Sequence, residues 1–112
     1  MDYQFEKEWN ELTKDLAETF KMDMDLQSVL FLIGVQELGV GFREFKKQEK
    51  MDLMHIAICR LLEPYGYYLY SGKDKDGWPH YDEKQKVPTL SAGEQEKLMK
   101  TAVIEYFSTA DA

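Results

Sequence analysis

The sequence is poor in cysteine, in basic residues and in long apolar runs, and each shortage excludes a class of protein. Its single cysteine, Cys59, has no partner for an internal disulfide, which is typical of proteins from a reducing compartment. The longest unbroken apolar stretch, Val29 to Val35, is far too short to cross a bilayer. The charged opening segment, residues 1–8, lacks the apolar core of a secretory signal. We therefore expect a cytoplasmic protein with no membrane association.

The shortage of basic residues bears on nucleic-acid binding. The 112 residues include 14 Lys and Arg against 21 Asp and Glu, which gives a formal net charge of −7. The cations are scattered among acidic neighbours, and a negative surface repels phosphate backbones. We expect no nucleic-acid partner. The acidic surface is expected to be a solvated face, with a DNA-mimicking face as the alternative.

What is present is the composition of a folded domain. The chain is 44% hydrophobic and 31% charged, values close to those of soluble globular proteins, and its length suits one hydrophobic core. We find no internal repeat and no linker. Residues 1–112 are therefore predicted to form a single helical domain.

Two helices are predicted in the first third of the chain. Residues 2–21 carry an apolar stripe at helical spacing, formed by Phe5, Trp9, Leu12, Leu16 and Phe20. Residues 29–35 are apolar on every side, which predicts a helix enclosed by its neighbours, with a buried strand as the alternative. Asp25 is the expected N-cap of this second helix, and Gly39 the expected residue after its C-terminus. Gly34 costs about 1 kcal/mol relative to Ala inside a helix, and close packing against another helix would be a physical reason for it.

Two further helices follow. The third is predicted from about Lys46 to Glu63, because the residue before Pro64 avoids the helical conformation. Ser91 and Glu94 fit a capping box, which predicts the start of a fourth helix that frays near Ser108. The main apolar face of the third helix is expected to hold Met51, Met54, His55, Ile58, Leu61 and Leu62. Leu53, Ile56 and Ala57 lie off that stripe, so we expect this helix to be covered on more than one side.

A β-hairpin is predicted between the third and fourth helices. Residues 65–70 are aromatic and strand-prone, residues 74–77 have turn chemistry, and residues 78–81 could return as a second strand. Pro79 restricts that return strand to a sheet edge. The predicted fold is thus mainly α, a compact bundle of about four helices with one β-hairpin (about residues 66–82) between helices 3 and 4.

Two groups of residues have spacings that resemble metal sites. Residues 72–83 place Asp74 and Asp76 where an EF-hand has ligands, but Gly72 stands at the first position, so a hairpin turn is the better interpretation. His55, Cys59 and Glu63 recur every four residues, spanning about 12 Å, too far to share one ion without help from another element.

A Cys–His nucleophile pair is the other possibility for His55 and Cys59, but the apolar neighbours of Cys59 disfavour a reactive thiol. Packing of Cys59 as a small apolar group, with a hydrogen-bonded His55, is the favoured interpretation. We assign no catalytic, cofactor-binding or metal-binding residue from the sequence.

The hairpin region is the most unusual feature, because aromatic side chains crowd around its turn. Alternation along a strand sends Tyr67 and Leu69 to one face and Tyr68 and Tyr70 to the other, so one helix layer cannot cover both faces. Packing on the helices, a protein or self-association surface, and a small-molecule platform are the three interpretations. The candidate interaction surface consists of Tyr67, Tyr68, Tyr70, Trp78, His80 and Tyr81.

The run Leu30–Gly39, together with Asp76–His80, resembles segments of short, uncharacterised, mostly helical bacterial proteins of unknown function. This resemblance implies a helical fold and brings no catalytic residue with it.

These observations favour a binding protein over an enzyme, with no cofactor. We expect a protein–protein interaction module or homo-oligomer that uses the aromatic hairpin surface. The alternative is a small-ligand-binding protein or enzyme with a pocket between the buried second helix and the hairpin, to which His55 or His80 contributes.

Overall fold

The structure, a computed structural model, describes residues 3–41 and 43–110. Over these residues the chain forms four α-helices and one two-stranded antiparallel hairpin, which confirms the predicted mainly-α class and the position of the hairpin. No helix in this described part is long and apolar enough to cross a membrane. The elements are α1 (Tyr3–Phe20), α2 (Leu26–Leu38), α3 (Lys47–Leu62), a 3₁₀ turn (Glu63–Tyr65), β1 (Tyr68–Lys73), β2 (Pro79–Glu83) and α4 (Ala92–Ala110).

The predicted caps of α2 and α4 are confirmed. The Asp25 carboxylate accepts a hydrogen bond from the Ser28 backbone N–H at 2.8 Å, which satisfies one unpaired donor of the first turn of α2. Gly39 has a φ of +80° and donates its N–H to the Val35 carbonyl, as a left-handed C-terminal residue does. Ser91 and Glu94 exchange two reciprocal hydrogen bonds of 3.2 Å at the start of α4.

The chain divides into two compact units. One unit contains α1 and α4. There Trp9 is buried, and the Lys100 ammonium lies 5.2 Å from the centre of its indole ring. Phe20, at the end of the predicted apolar stripe, is exposed. The single domain of residues 1–112 stays a prediction.

The other unit, Leu30–Pro88, contains most of α2, all of α3 and the hairpin. A Cβ atom at Gly34 would lie 2.2 Å from the backbone carbonyl oxygen of Leu53, so the backbones of α2 and α3 approach closely at this point. This confirms the packing reason suggested for Gly34. An apolar cluster surrounds the approach and contains Val35, Leu38, Phe45 and Leu53, with Phe31 and Trp78 packed against it.

The apolar face predicted for α3 is only partly right. Met51 is 57% exposed and His55 is exposed, whereas Leu61 and Leu62 are buried as expected. Apolar residues occur on two sides of α3, and the contact with α2 at Leu53 selects the side that periodicity alone did not favour. The buried residues of α3 are Leu53, Ile56, Ala57, Cys59, Leu61 and Leu62.

The hairpin strands lie close to the predicted positions. Tyr68 pairs with Glu83 and Tyr70 with Tyr81, but the register shifts between Tyr70 and Gly72, where Ser71 forms a bulge. Pro79 is the first residue of β2 in a two-stranded sheet, so it lies on an edge strand, as expected.

Candidate functional site

A groove of about 300 Å³ lies between one face of α3 and the turn end of the hairpin. The α3 residues that line it stand at helical positions i, i+3, i+4 and i+7, so they share a face. We call this site the α3–hairpin groove. It is lined by Asp52, His55, Ile56, Cys59, Asp74, Trp78, Pro79, His80 and Tyr81.

Asp74 fixes the geometry of the hairpin side of the groove. Its Oδ1 atom accepts hydrogen bonds from the backbone N–H groups of Asp76 (2.9 Å) and Trp78 (3.0 Å). Its Oδ2 atom lies 2.9 Å from Nε2 of His80, which donates to it. The hydrogen bond from His80, followed by that from the Trp78 backbone, holds the pKa of the Asp74 carboxyl below its ordinary value. Asp74 is therefore ionised at neutral pH and orients both the turn and the His80 ring.

The α3 side of the groove pairs the two residues that the sequence singled out. Sγ of Cys59 lies 3.6 Å from Nε2 of His55, one helical turn away. Cys59 is only 2% exposed, and burial, assisted by the charge of Glu83, raises the pKa of its thiol to about 11. The thiol is therefore protonated at neutral pH and unsuited to nucleophilic attack.

The residues of the two sequence patterns that resemble metal sites do not converge on one ion-binding position. Across residues 3–41 and 43–110, no three His, Cys, Asp or Glu side chains are grouped so that they could hold a metal ion. Glu63 of the His55–Cys59–Glu63 series instead accepts a hydrogen bond from the Tyr70 backbone N–H at 2.8 Å. In the EF-hand-like segment, the Asp74 carboxylate accepts hydrogen bonds from backbone N–H groups of the turn.

The six residues of the candidate interaction surface do not share one environment. Tyr70 and His80 are exposed, whereas the other four are half-buried. Trp78, His80 and Tyr81 line the α3–hairpin groove, and Trp78 also packs against the apolar cluster of this unit. Tyr70 and Tyr81 face each other across the strands with ring centres 5.6 Å apart.

A second depression lies near the location that the sequence suggested for a pocket. It has a volume of about 400 Å³ and is lined by one α2 residue, Glu37, together with Arg60, Glu63, Tyr70, Lys73, Pro79 and Tyr81. Arg60 lies 3.4 Å from Glu37 and forms a salt bridge with it. Burial, followed by the charges of Glu37 and Glu63, raises the pKa of the Tyr81 phenol to about 12.

Sequence reasoning missed Asp52, Ile56 and Asp74 as parts of one site. The signal for the first two was available, since they stand three residues before His55 and three before Cys59 on the same helix face. Asp74 was weighed as an EF-hand-like ligand and predicted to be a turn residue. Its link to His80 was missed because that hydrogen bond depends on the register of the hairpin.

Comparisons with protein-family models, with curated proteins and with solved structures found no significant match. The resemblance of residues 30–39 and 76–80 to short bacterial proteins therefore stays a prediction. Any function has to be inferred from the geometry and chemistry of the groove.

Proposed function

We propose that this protein binds a small molecule in the α3–hairpin groove. The observation that carries the proposal is the convergence of both histidines, a tryptophan and a tyrosine from two elements on one concavity of about 300 Å³. That volume lies at the lower end of the range for ligand pockets, roughly 300–1,000 Å³. Apolar walls with a few convergent polar groups are typical of such sites.

The site is held in place before any ligand arrives. Three hydrogen bonds to Asp74 fix the turn and the His80 ring, and Trp78 is anchored by the apolar cluster behind it. A pre-organised site loses less conformational entropy on binding, which favours affinity. We also propose a cytoplasmic location, which the single, protonated Cys59 suits.

Binding is favoured over catalysis by the state of the reactive groups. The Cys59 thiol is protonated at neutral pH, and the Asp74 carboxylate already accepts three hydrogen bonds. His55 and His80 remain as hydrogen-bonding groups for a ligand.

Blocking the groove tests the proposal. A fragment library of neutral, cationic and anionic compounds is screened by ¹H–¹⁵N NMR, with the Trp78 indole N–H as the reporter within the groove. His55→Trp places a larger ring at the groove from an exposed helical position, whereas Met51→Trp adds the same ring at a position of α3 that does not line the groove. Fragments that shift the Trp78 signal should bind wild type and Met51→Trp, and should lose binding to His55→Trp.

Two results would contradict the proposal. Either no fragment shifts the Trp78 signal, or the fragments that do so bind His55→Trp as tightly as wild type. The indole of Trp9, which does not line the groove, is the internal control for non-specific effects.

A protein partner or a second copy of the chain is the second candidate, favoured by the exposure of apolar side chains on β1. Leu69 is 50% exposed on one face of the strand, and Tyr70 is 45% exposed on the other. The backbone N–H of Tyr70 is already bonded to Glu63, so side-chain contact fits this surface better than addition of a strand.

Light scattering over a concentration series tests self-association. A mass above the 13.2 kDa of one chain should fall to that value in Leu69→Gln. Val40→Gln removes an apolar residue that is 60% exposed elsewhere and serves as the matched control. A mass of one chain at all concentrations would exclude a homo-oligomer.

A further inference from the structure

We infer that the ligand of the α3–hairpin groove is a small organic cation with an apolar body. This inference rests on the proposed function, since it specifies the occupant of that groove.

The charged side chains that line the groove argue first for a cation. Apart from the two histidines, they are the carboxylates of Asp52 and Asp74, and no Lys or Arg is among the described lining residues. An anion entering this groove would lose its hydration without meeting a lysine or arginine. A cation would be attracted by both carboxylates.

Groups beyond the lining extend this negative potential. Glu83 acts on the Cys59 thiol, and Glu37 and Glu63 act on the Tyr81 phenol, in each case disfavouring a further negative charge. Arg60 opposes the effect at Tyr81, and its salt bridge with Glu37 offsets the charge of both groups. Glu63 and Glu83 are therefore the carboxylates outside the lining that reinforce its preference for a cation.

The apolar walls specify the rest of the ligand. Trp78 offers an indole ring, and tryptophan is the best aromatic partner for a cation. Ile56 and Pro79 are buried and add aliphatic surface beside it. An amine attached to a flat apolar body satisfies the ring, the walls and the carboxylates together. A metal ion fits less well, because no three ligating side chains are grouped within the described residues.

The cation preference is tested with three compounds that share a ring and differ in charge. Tyramine carries an ammonium group, tyrosol a neutral hydroxyl, and 4-hydroxyphenylacetate a carboxylate, all on a hydroxyphenyl ring. Titration at pH 7 is followed through the Trp78 indole N–H. We expect tyramine to bind about fivefold or more tightly than tyrosol, and the carboxylate to bind most weakly.

A variant that removes one carboxylate separates the contribution of the ammonium group to binding from that of the hydroxyphenyl ring. Asp52→Asn should weaken tyramine binding about two- to fivefold and leave tyrosol unchanged, because Asp52 is a solvent-exposed partner. Asp15→Asn makes the same change on α1, which contributes no residue to the lining of the groove, and should leave both affinities unchanged.

The outcomes distinguish this inference from the proposed function. If tyrosol or 4-hydroxyphenylacetate binds as tightly as tyramine, the cation preference is wrong while the groove remains a binding site. If tyramine causes no shift at Trp78, the cation preference is likewise wrong, and the fragment screen with His55→Trp decides separately whether the groove binds anything. Equal weakening of tyramine by Asp52→Asn and Asp15→Asn would also overturn it.

Discussion

At the scale of single residues, Cys59 should be unreactive in the folded protein. It is 2% exposed, and burial raises the pKa of its thiol to about 11. The ordinary pKa of this thiol is 9.0, so at pH 7.5 the thiolate fraction should be lower than in the unfolded chain by roughly a hundredfold. We expect alkylation by iodoacetamide at pH 7.5 to be slower by at least that factor than in concentrated urea, as measured by mass spectrometry.

The single cysteine makes this measurement unambiguous, because only one site can be labelled. The pH dependence has a defined sign. The folded state holds the thiol proton more tightly, so the thiol's contribution to the free energy of unfolding is fully present below its unfolded pKa and decreases as pH rises toward 11. Labelling at similar rates in the folded and urea-unfolded protein would contradict the buried, protonated state of this side chain.

Residue chemistry explains which parts of the site could be predicted. The apolar neighbours of Cys59 correctly indicated a packed thiol, and the helical spacing correctly placed it one turn from His55. The approach of His80 to Asp74 could not be predicted, because five residues of turn and strand lie between them and the bulge at Ser71 shifts the pairing. Local patterns therefore identified the members of the groove without showing that they meet.

At the scale of elements, Gly34→Ala should destabilise the contact between α2 and α3. Alanine gains about 1 kcal/mol of helix propensity. Its Cβ would nevertheless lie 2.2 Å from the Leu53 carbonyl oxygen, a backbone atom that cannot rotate away. Overpacking of this kind typically costs about 1–3 kcal/mol, and a backbone obstacle is at the severe end. We expect a net loss of about 1–2 kcal/mol in the free energy of unfolding, measured by urea denaturation followed by circular dichroism.

Gly93→Ala is the matched control in the first turn of α4. No heavy atom lies within 4 Å of the position that its Cβ would occupy. This variant should be as stable as wild type or more stable, by up to about 1 kcal/mol. A similar loss of stability in both variants would show that the backbone approach at Leu53 is not the cause.

The hairpin turn should depend on Asp74 in a pH-dependent way. The hydrogen bond from His80, and next that from the Trp78 backbone, lower the pKa of Asp74 in the folded state. A carboxyl group of this kind stabilises the fold above its unfolded pKa of about 3.9 and loses that contribution as pH falls through its lower folded value. Asp74→Asn should therefore lower the urea midpoint at pH 7, and the difference from wild type should shrink toward pH 3.

Asp76→Asn changes the neighbouring carboxylate of the same turn and is the control for this experiment. Asp76 contributes to the turn through the bond from its backbone N–H to Asp74, which the substitution keeps. The urea midpoint of Asp76→Asn should equal that of wild type from pH 3 to pH 7. A constant difference between Asp74→Asn and wild type across this range would mean that ionisation of Asp74 does not support the turn.

The element boundaries were predictable because their signals are local. The carboxylate of Asp25, the hydroxyl of Ser91 and the glycine at position 39 act on their own helix ends. The buried face of α3 was not predictable to the same degree, since Met51 and Leu53 are both apolar and only the contact with α2 decides between them. The sequence could indicate how much of α3 is apolar, but not which side of it has a neighbour.

At the scale of the whole molecule, the net charge of −7 predicts that the protein does not bind DNA at physiological salt. A local exception is the segment around the start of α3, where Arg43, Lys46 and Lys50 line a depression together with Glu44. Arg43 lies 3.3 Å from the carboxylate of Glu49, so part of this positive charge is already paired. Attraction of a phosphate to Lys46 and Lys50 is opposed by repulsion from the net negative charge of the chain.

We therefore expect no change in the fluorescence anisotropy of a labelled duplex of about 20 base pairs in about 150 mM salt, at protein concentrations up to about 100 µM. Non-specific DNA-binding proteins typically bind with dissociation constants of about 10⁻⁴–10⁻⁶ M under such conditions, so binding within that range would be detected. A repeat at about 20 mM salt is the sensitive control, because fewer counterions then screen any lysine–phosphate contact. Saturable binding at the higher salt concentration, weakened when Lys46 and Lys50 are both changed to Gln, would show that the segment around the start of α3 outweighs the net charge and would add an anionic partner to this protein.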